Sequence, residues 1–269
     1  MVTSHLRYPS KYSAIRRPRQ WNYIHGMTLT SLDILLIITS FFTSFITAVA
    51  GIGGGVMLLA VMVNVYPPSV VIPIHGAVQA CSNGFRAWLM RHYINKTILL
   101  WFTLGAVLGT LAGSQLVVDL EKNLLEVLLG GFILYMVWGP SIKAISIGQI
   151  STLTLGGLLS SVASLFIGAS GPLVSAIINR ENIAKEELVA THASAMLVQH
   201  GLKIALFGVI GFAFYEYYLL VMFMIFAGFA GTYVGKHVLL KIPERQFKRL
   251  YKIVITILAL RLLFSAFFG

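Results

Sequence analysis

The sequence predicts an all-α integral membrane protein built from two homologous halves. Charged residues make up only 11% of the 269 residues and hydrophobic residues make up 57%, whereas soluble domains carry about 25% charged residues. Several apolar segments approach the ~20 residues that a helix needs to cross a bilayer. Glycine-rich stretches interrupt two of these segments, Gly51–Gly55 and Gly168–Pro172, and each interruption opens one half.

The first half is predicted to follow a basic N-terminal tail. Residues 1–26 contain five Arg or Lys and no acidic residue, and they lack the apolar region of a signal peptide, so we expect a disordered tail. The first membrane repeat is predicted at 27–145. It begins with the segment from about Leu32 that Gly51–Gly55 interrupts. Its three further spans are expected at about 70–90, 98–118 and 124–138.

The second half, predicted at 146–269, follows the same plan. An apolar segment at about 153–167 leads into the interruption at Gly168–Pro172, where Pro172 suits the first turn of a restarted helix. Its further spans are expected at about 188–213, at about 219–240 and, after a basic loop, in a last span that ends near Phe268.

The two halves align as an internal repeat at fixed offsets. An offset of 117 residues pairs glycine with glycine, histidine with histidine and cation with cation: Gly51 with Gly168, Gly54 with Gly171, His75 with His192, Arg86 with Lys203. The same offset pairs Ser82 with Gln199 and Asn83 with His200. An offset of 122 then pairs Gly109 with Gly231 and Gly113 with Gly235. Repeats joined at broken helices are typical of secondary transporters.

The relative orientation of the halves depends on how the interrupted helices run. Re-entrant hairpins would give three crossings per half and an inverted repeat, whereas complete crossings would give four and a parallel repeat. The inverted arrangement places the basic loops 91–97, 139–149 and 236–246 on one side, as the positive-inside rule expects. We therefore favour the inverted repeat.

The glycine interruptions predict an anion-binding cradle. Backbone N–H groups at a helix start carry no acceptor within the helix and lie at the positive end of its dipole. The residues expected to offer them are Gly53, Gly54, Gly55, Ser170 and Gly171. The alternative interpretation is a hinge or a close helix contact.

Two histidines and two cations extend the predicted site. His75 and His192 hold equivalent places and could contact an anion or titrate near neutral pH. Arg86 and Lys203 each follow their histidine by eleven residues, which leaves the two side chains about 20° apart around the helix. Intramembrane cations often mark ion pathways, with snorkelling to the headgroups as the alternative, especially for Arg86.

Polar side chains on neighbouring turns of the same two spans complete the predicted substrate-binding set. They are Gln79, Ser82, Asn83 and Gln199. No Cys, Asp or Glu accompanies the histidines at ligand spacing, so we predict neither a metal site nor a cofactor. The Gly105–Gly113 and Ala227–Gly235 faces are expected to make close helix contacts, with the seam of a homodimer as the alternative.

Three motifs in the sequence resemble those of a known family. They are "AGIGGGVMLL", its echo "FIGASGPLVSAII", and the paired G-x-x-x-G spans at 109–113 and 231–235. Over about 30–268 the chain resembles the sulfite exporter TauE/SafE family, and it departs where Ala169 and Ser170 replace glycines. The resemblance implies a permease that moves sulfite, organosulfonates or related small anions across the plasma (inner) membrane.

The expected function is a secondary transporter of a small sulfur-containing anion, bound near the midplane between the broken helices. The sequence contains no Walker A motif, and its acid-poor spans favour an anion over a cation. An anion channel is the first alternative. A membrane-embedded enzyme is the second, although no nucleophile–base pair is assembled. The lipid bilayer and the anionic substrate are the expected partners, and the net charge of +11 is not taken to indicate nucleic acid.

Overall fold

The computed structural model describes residues 29–50, 53–116, 121–139, 148–168, 170–179, 183–238 and 244–268. The predicted basic tail, 1–26, and the central parts of the predicted loops 139–149 and 236–246 lie outside these ranges. The described ranges form α-helices and short 3-10 turns, without a strand. The α-helices are α1 Ser31–Ala50, α2 Gly54–Met62, α3 Pro68–Leu89, α4 Lys96–Leu116, α5 Lys122–Trp138, α6 Gln149–Ile167, α7 Gly171–Ile178, α8 Lys185–Ile210, α9 Tyr218–Val238 and α10 Glu244–Phe268.

Helices α1, α4, α6, α8 and α9 are long and apolar enough to cross a membrane. The apolar parts of α5 and α10 are shorter, at Asn123–Trp138 and Thr256–Phe268. Helix α3 has the length of a span, but it carries the polar residues that the sequence singled out. An all-helical, multi-pass membrane architecture follows.

Helices α1 and α2 form a hairpin. A β-carbon at Gly54 would lie 1.9 Å from Thr47 Oγ1 and 2.0 Å from the carbonyl oxygen of Thr43, so α2 starts against the last turns of α1. After α2, the Tyr66 hydroxyl donates to Asp33 Oδ1 at 2.5 Å. Because Asp33 is in the first turn of α1, the chain returns to the level at which the hairpin began.

Helices α6 and α7 form a second hairpin. A β-carbon at Gly156, early in α6, would lie 2.8 Å from the side chain of Ile177, at the end of α7. Gly168 follows α6 with a φ of 82°, a left-handed conformation that a residue with a β-carbon rarely adopts. The chain therefore reverses at this glycine and comes back along α6.

The glycine faces of α4 and α9 pack inside the bundle. A β-carbon at Gly105 would lie 1.9 Å from the carbonyl oxygen of Thr154 on α6, and one at Gly231 would lie 2.1 Å from that of Phe41 on α1. Only glycine permits backbones to approach this closely. The glycine faces of α4 and α9 therefore make helix contacts within the chain, as expected, and not the contacts of a homodimer seam.

Two pairs of helices that the sequence repeat predicts to be equivalent, α3–α8 and α5–α10, run antiparallel. On α3 and α8, Gly76 faces Lys203 whereas Gly84 faces Leu197, so the numbering rises along one helix as it falls along the other. Helices α5 and α10 are also antiparallel, because Ser265 donates to Glu126 Oε1 at 3.3 Å and Trp138 Nε1 donates to Thr256 Oγ1 at 2.9 Å. The two hairpin tips also meet, because a β-carbon at Gly168 would lie 2.9 Å from the side chain of Leu59 on α2.

Candidate functional site

A cavity of about 40 Å³ lies where the hairpin tips meet. This volume accommodates about three waters, or one small anion, at about 10–15 Å³ for each water. The lining comes from α1, α2, α3, α7, α8 and the residues next to the interruptions. It consists of Thr47, Gly53, Gly55, Val56, His75, Gln79, Asn83, Arg86, Ser170, Gly171, Pro172, His192, Met196 and His200.

Two helix starts face this cavity. Gly53 precedes α2 with a φ of 106°, which only glycine adopts easily, and α7 begins at Gly171 with Pro172 in its first turn. The first backbone hydrogen bond of α2 runs from Met57 N–H to the carbonyl oxygen of Gly53, at 3.1 Å. That of α7 runs from Val174 N–H to the carbonyl oxygen of Ser170, at 2.9 Å. The preceding N–H groups have no acceptor within their helices, so the cavity lies between two positive dipole ends.

Arg86 supplies a formal positive charge to the cavity wall. Its residue is only 9% exposed, and its Nη1 donates to Asn83 Oδ1 at 3.5 Å. Asn83 Nδ2 in turn donates to the carbonyl oxygen of Gln79 at 2.8 Å, so these three side chains follow one face of α3. Within the described part of the chain, no carboxylate forms an ion pair with Arg86. A buried guanidinium without a counter-ion is costly, and a bound anion would offset that cost.

His75 and His192 make similar contacts at the two helix starts. Nε2 of His75 lies 2.8 Å from the carbonyl oxygen of Gly55, and Nε2 of His192 lies 3.1 Å from that of Gly171. Because a carbonyl oxygen only accepts, both Nε2 atoms are the donors. The two contacts tie α3 to α2 and α8 to α7, and so fix each helix start against the cavity.

Comparison with known proteins identifies the family. The family model described as Sulfite exporter TauE/SafE matches residues 36–262. The chain belongs to the TauE/SafE sulfite exporter family. A relative from Haemophilus influenzae, described as "Probable membrane transporter protein", is 29% identical over 158 residues, which cover 55% of this chain and 62% of the relative. The match thus spans less than two thirds of that relative, and no solved structure matches the chain significantly.

In this TauE/SafE protein, the cavity gathers nine of the thirteen side chains and glycines that the sequence predicted for the site. They are Gly53, Gly55, His75, Gln79, Asn83, Arg86, Ser170, Gly171 and His192. The four other predicted residues, Gly54, Ser82, Gln199 and Lys203, are not part of the lining, and the structure gives a local reason for three of them.

Gln199 and Lys203 bond to protein groups behind the cavity. The Gln199 amide donates to Ser160 Oγ at 3.0 Å and to Ser161 Oγ at 2.9 Å, and its oxygen accepts the hydroxyl of Ser170. Lys203 Nζ donates to the carbonyl oxygen of Gly168 at 3.1 Å. The lysine therefore caps the C-terminal end of α6, where a cation is favourable.

Gly54 packs against α1 rather than against the cavity. The space that its β-carbon would need is filled by Thr47 and Thr43. Ser82, which is partly exposed on α3, is likewise outside the lining.

His200 is the lining residue of greatest chemical interest that the predicted site set omitted. It is 1% exposed, and its ring lies 5.8 Å from that of His75 in an edge-to-face arrangement. The repeat carried a signal for it, because the offset of 117 pairs His200 with Asn83. Thr47, Val56, Pro172 and Met196 complete the wall, and their residue types alone gave no reason to select them.

Proposed function

We propose that this TauE/SafE protein is a secondary transporter of a small anion, which binds in the cavity between the starts of α2 and α7. The buried Arg86 guanidinium carries this proposal, because it has no carboxylate partner among the described residues and faces two helix N-termini. The cavity is therefore large enough for a small anion and is lined by hydrogen-bond donors and by groups of positive potential. Half-helix N-termini that point at an anionic substrate are a recurrent device of transporters.

The substrate class that fits best is a sulfur oxyanion such as sulfite. The family is named for sulfite export, and a cavity of about 40 Å³ suits an anion with about four non-hydrogen atoms. A longer organosulfonate would require the wall formed by Val56, Pro172 and Met196 to move. We place the protein in the plasma membrane, since export or import of such an anion requires a cell boundary.

We further propose that the halves, 27–145 and 146–269, form an inverted repeat. Two observations support it. Both interrupted segments double back as hairpins, which leaves three crossings in each half, and the equivalent pairs α3–α8 and α5–α10 run antiparallel. A parallel repeat would have equivalent helices running in the same direction.

The inverted repeat predicts opposite faces for two exposed tyrosines. Tyr93 follows α3 and Tyr215 precedes α9, and they are 55% and 75% exposed. In a variant freed of its single cysteine by Cys81→Ala, Tyr93→Cys should react with an impermeant thiol reagent from the cytoplasmic side. Tyr215→Cys should react from the opposite side only. Labelling of both cysteines from one side would contradict the inverted repeat and indicate four crossings per half.

A transporter predicts exchange that a channel cannot give. Several lining residues are nearly inaccessible from outside, with His75 at 1%, Asn83 at 5% and His192 at 6% exposure, which favours an occluded site over an open pore. In proteoliposomes loaded with unlabelled sulfite, uptake of labelled sulfite should saturate and be accelerated by the internal anion. Uptake that rises linearly with concentration and ignores the internal anion would favour the channel.

The enzyme alternative has less support. The described residues contain no group of three or more His, Cys, Asp or Glu arranged to hold a metal ion. The two hydroxyls in the cavity wall are both engaged elsewhere, because Ser170 donates to Gln199 and Thr47 donates to the carbonyl oxygen of Thr43, so neither is paired with a histidine that could activate it. Binding of a small anion is therefore the chemistry that this wall supports best.

A further inference from the structure

The two halves of the cavity differ at one chemically important position. On one side His75 of α3 faces His200 of α8, with ring centres 5.8 Å apart. The offset of 117 residues pairs His200 with Asn83, which lines the same cavity and whose amide cannot take up a proton. The cavity therefore has a histidine at one of these two sequence-equivalent positions and an asparagine at the other.

The histidine pair has unused hydrogen-bonding capacity. His75 donates through Nε2 to the oxygen of Gly55, so a neutral ring presents Nδ1 as a bare acceptor. The Nδ1 atoms of both His75 and His200 are buried, and neither has a hydrogen-bond partner among the described residues. A proton added to the pair would convert an idle acceptor into a donor.

The surrounding charges decide when such a proton can be held. The titratable groups whose charge acts on the pair are His192 and Lys203 of α8, whereas Arg86 lines the same cavity about three turns farther along α3 and the lining residues of α1, α2 and α7 carry no charge. All of these groups are cationic or become cationic on protonation. An additional proton in the empty cavity is therefore unfavourable, and an anion beside it would remove the repulsion.

We propose that His75 and His200 form a proton-binding pair that takes up one proton with each bound anion. The inference rests on the proposed function, because it requires an anion in this cavity. By reciprocal linkage, the proton strengthens anion binding as much as the anion strengthens proton binding. Anion and proton then cross the membrane together, and a pH gradient can drive the transport.

Calorimetry on the full chain in detergent tests the pair, with methanesulfonate as a probe that stays ionised throughout the range. Titration in two buffers of different ionisation enthalpy counts the protons taken up per anion. The wild type should take up close to one proton near neutral pH. Its affinity should rise as the pH falls, by at most about tenfold per pH unit, which is the limit for one linked proton.

His200→Asn is the decisive variant, because asparagine already occupies the equivalent position 83. It should still bind the probe, with proton uptake near zero and an affinity that no longer depends on pH. His92→Asn, at an exposed histidine outside the cavity, is the matched control and should behave like the wild type.

Each remaining outcome overturns the proposal in a distinguishable way. Binding to the wild type without proton uptake would contradict the proton-binding pair alone, and absence of binding would contradict the proposed function as well. Undiminished proton uptake in His200→Asn would show that a group other than the His75–His200 pair binds the proton. Loss of binding at every pH in a variant that melts like the wild type would make His200 an anion ligand. The number of protons that the wild type takes up tests the proposal even if the His200→Asn variant does not fold.

Discussion

Arg86→Met should abolish most anion binding and leave the fold intact. The substitution keeps an apolar stem and removes a guanidinium that has no carboxylate partner among the described residues, so the proposed anion loses its strongest partner. We expect the affinity for sulfite to fall about a hundredfold, or ~2.8 kcal/mol. The melting temperature without ligand should be unchanged or raised, because a costly buried charge has gone. Ligand-dependent thermal shifts measure both quantities.

Arg86→Lys and Lys203→Met serve as the comparison variants. Lysine keeps the charge at position 86 but not the planar fork of donors, so part of the affinity should remain. Lys203→Met removes the cation that caps α6 through Gly168, so it should lower stability more than it lowers binding. If Arg86→Met binds as well as the wild type while Lys203→Met does not, the lysine is the substrate cation and the proposed site is wrong.

Two equivalent glycines should respond in opposite ways to alanine. A β-carbon at Gly54 would lie 1.9 Å and 2.0 Å from atoms of α1, one of them in the backbone. A β-carbon at Gly171 would meet only His192 and Met196, both at an ordinary 3.9 Å. Gly54→Ala should therefore destabilise the protein by about 3 kcal/mol or prevent insertion, since a backbone atom cannot move aside as a side chain can.

Gly171→Ala should fold normally and bind poorly. Alanine is the better helix former by about 1 kcal/mol, and its methyl group projects at the wall of a cavity of about 40 Å³. We expect at least about a tenfold loss of anion affinity, since the methyl group crowds the space beside the start of α7. Thermal melting and binding of both variants provide the measurement. Wild-type affinity in Gly171→Ala would exclude the start of α7 from the site, and wild-type melting of Gly54→Ala would contradict the tight hairpin.

The membrane class and the helix order could be predicted because both depend on local patterns. Apolar segment length predicts spans, and the glycine stretches at Gly51–Gly55 and Gly168–Pro172 coincide with the ends of α1 and α6 and the starts of α2 and α7. Whether each interrupted segment crosses the membrane or turns back as a hairpin could not be predicted in the same way. It depends on contacts such as that of Tyr66 with Asp33, which no periodicity reveals.

Most residues that line the candidate site could be selected from the sequence, but their hydrogen-bond partners could not. The repeat alone predicts the same substrate-binding role for Arg86 and Lys203, because the two residues are equivalent in sequence. Their difference arises from what each meets in space: Arg86 meets the cavity, whereas Lys203 meets the carbonyl oxygen of Gly168. Gln199 was selected as a polar residue near a histidine, yet three serines use its amide. Partner choice of this kind is a property of packing.

Anomalous diffraction from the protein bound to selenite tests the central claim most directly. Selenium takes the place of sulfur in an anion of the same charge and shape as sulfite, and its position can be located without reference to the protein. The anomalous peak should lie between the starts of α2 and α7, with selenite oxygens within hydrogen-bond distance of the Arg86 guanidinium. A peak elsewhere in the bundle, such as beside Lys203 and Gly168, or an empty cavity in crystals of protein that transports selenite, would contradict the site proposed here.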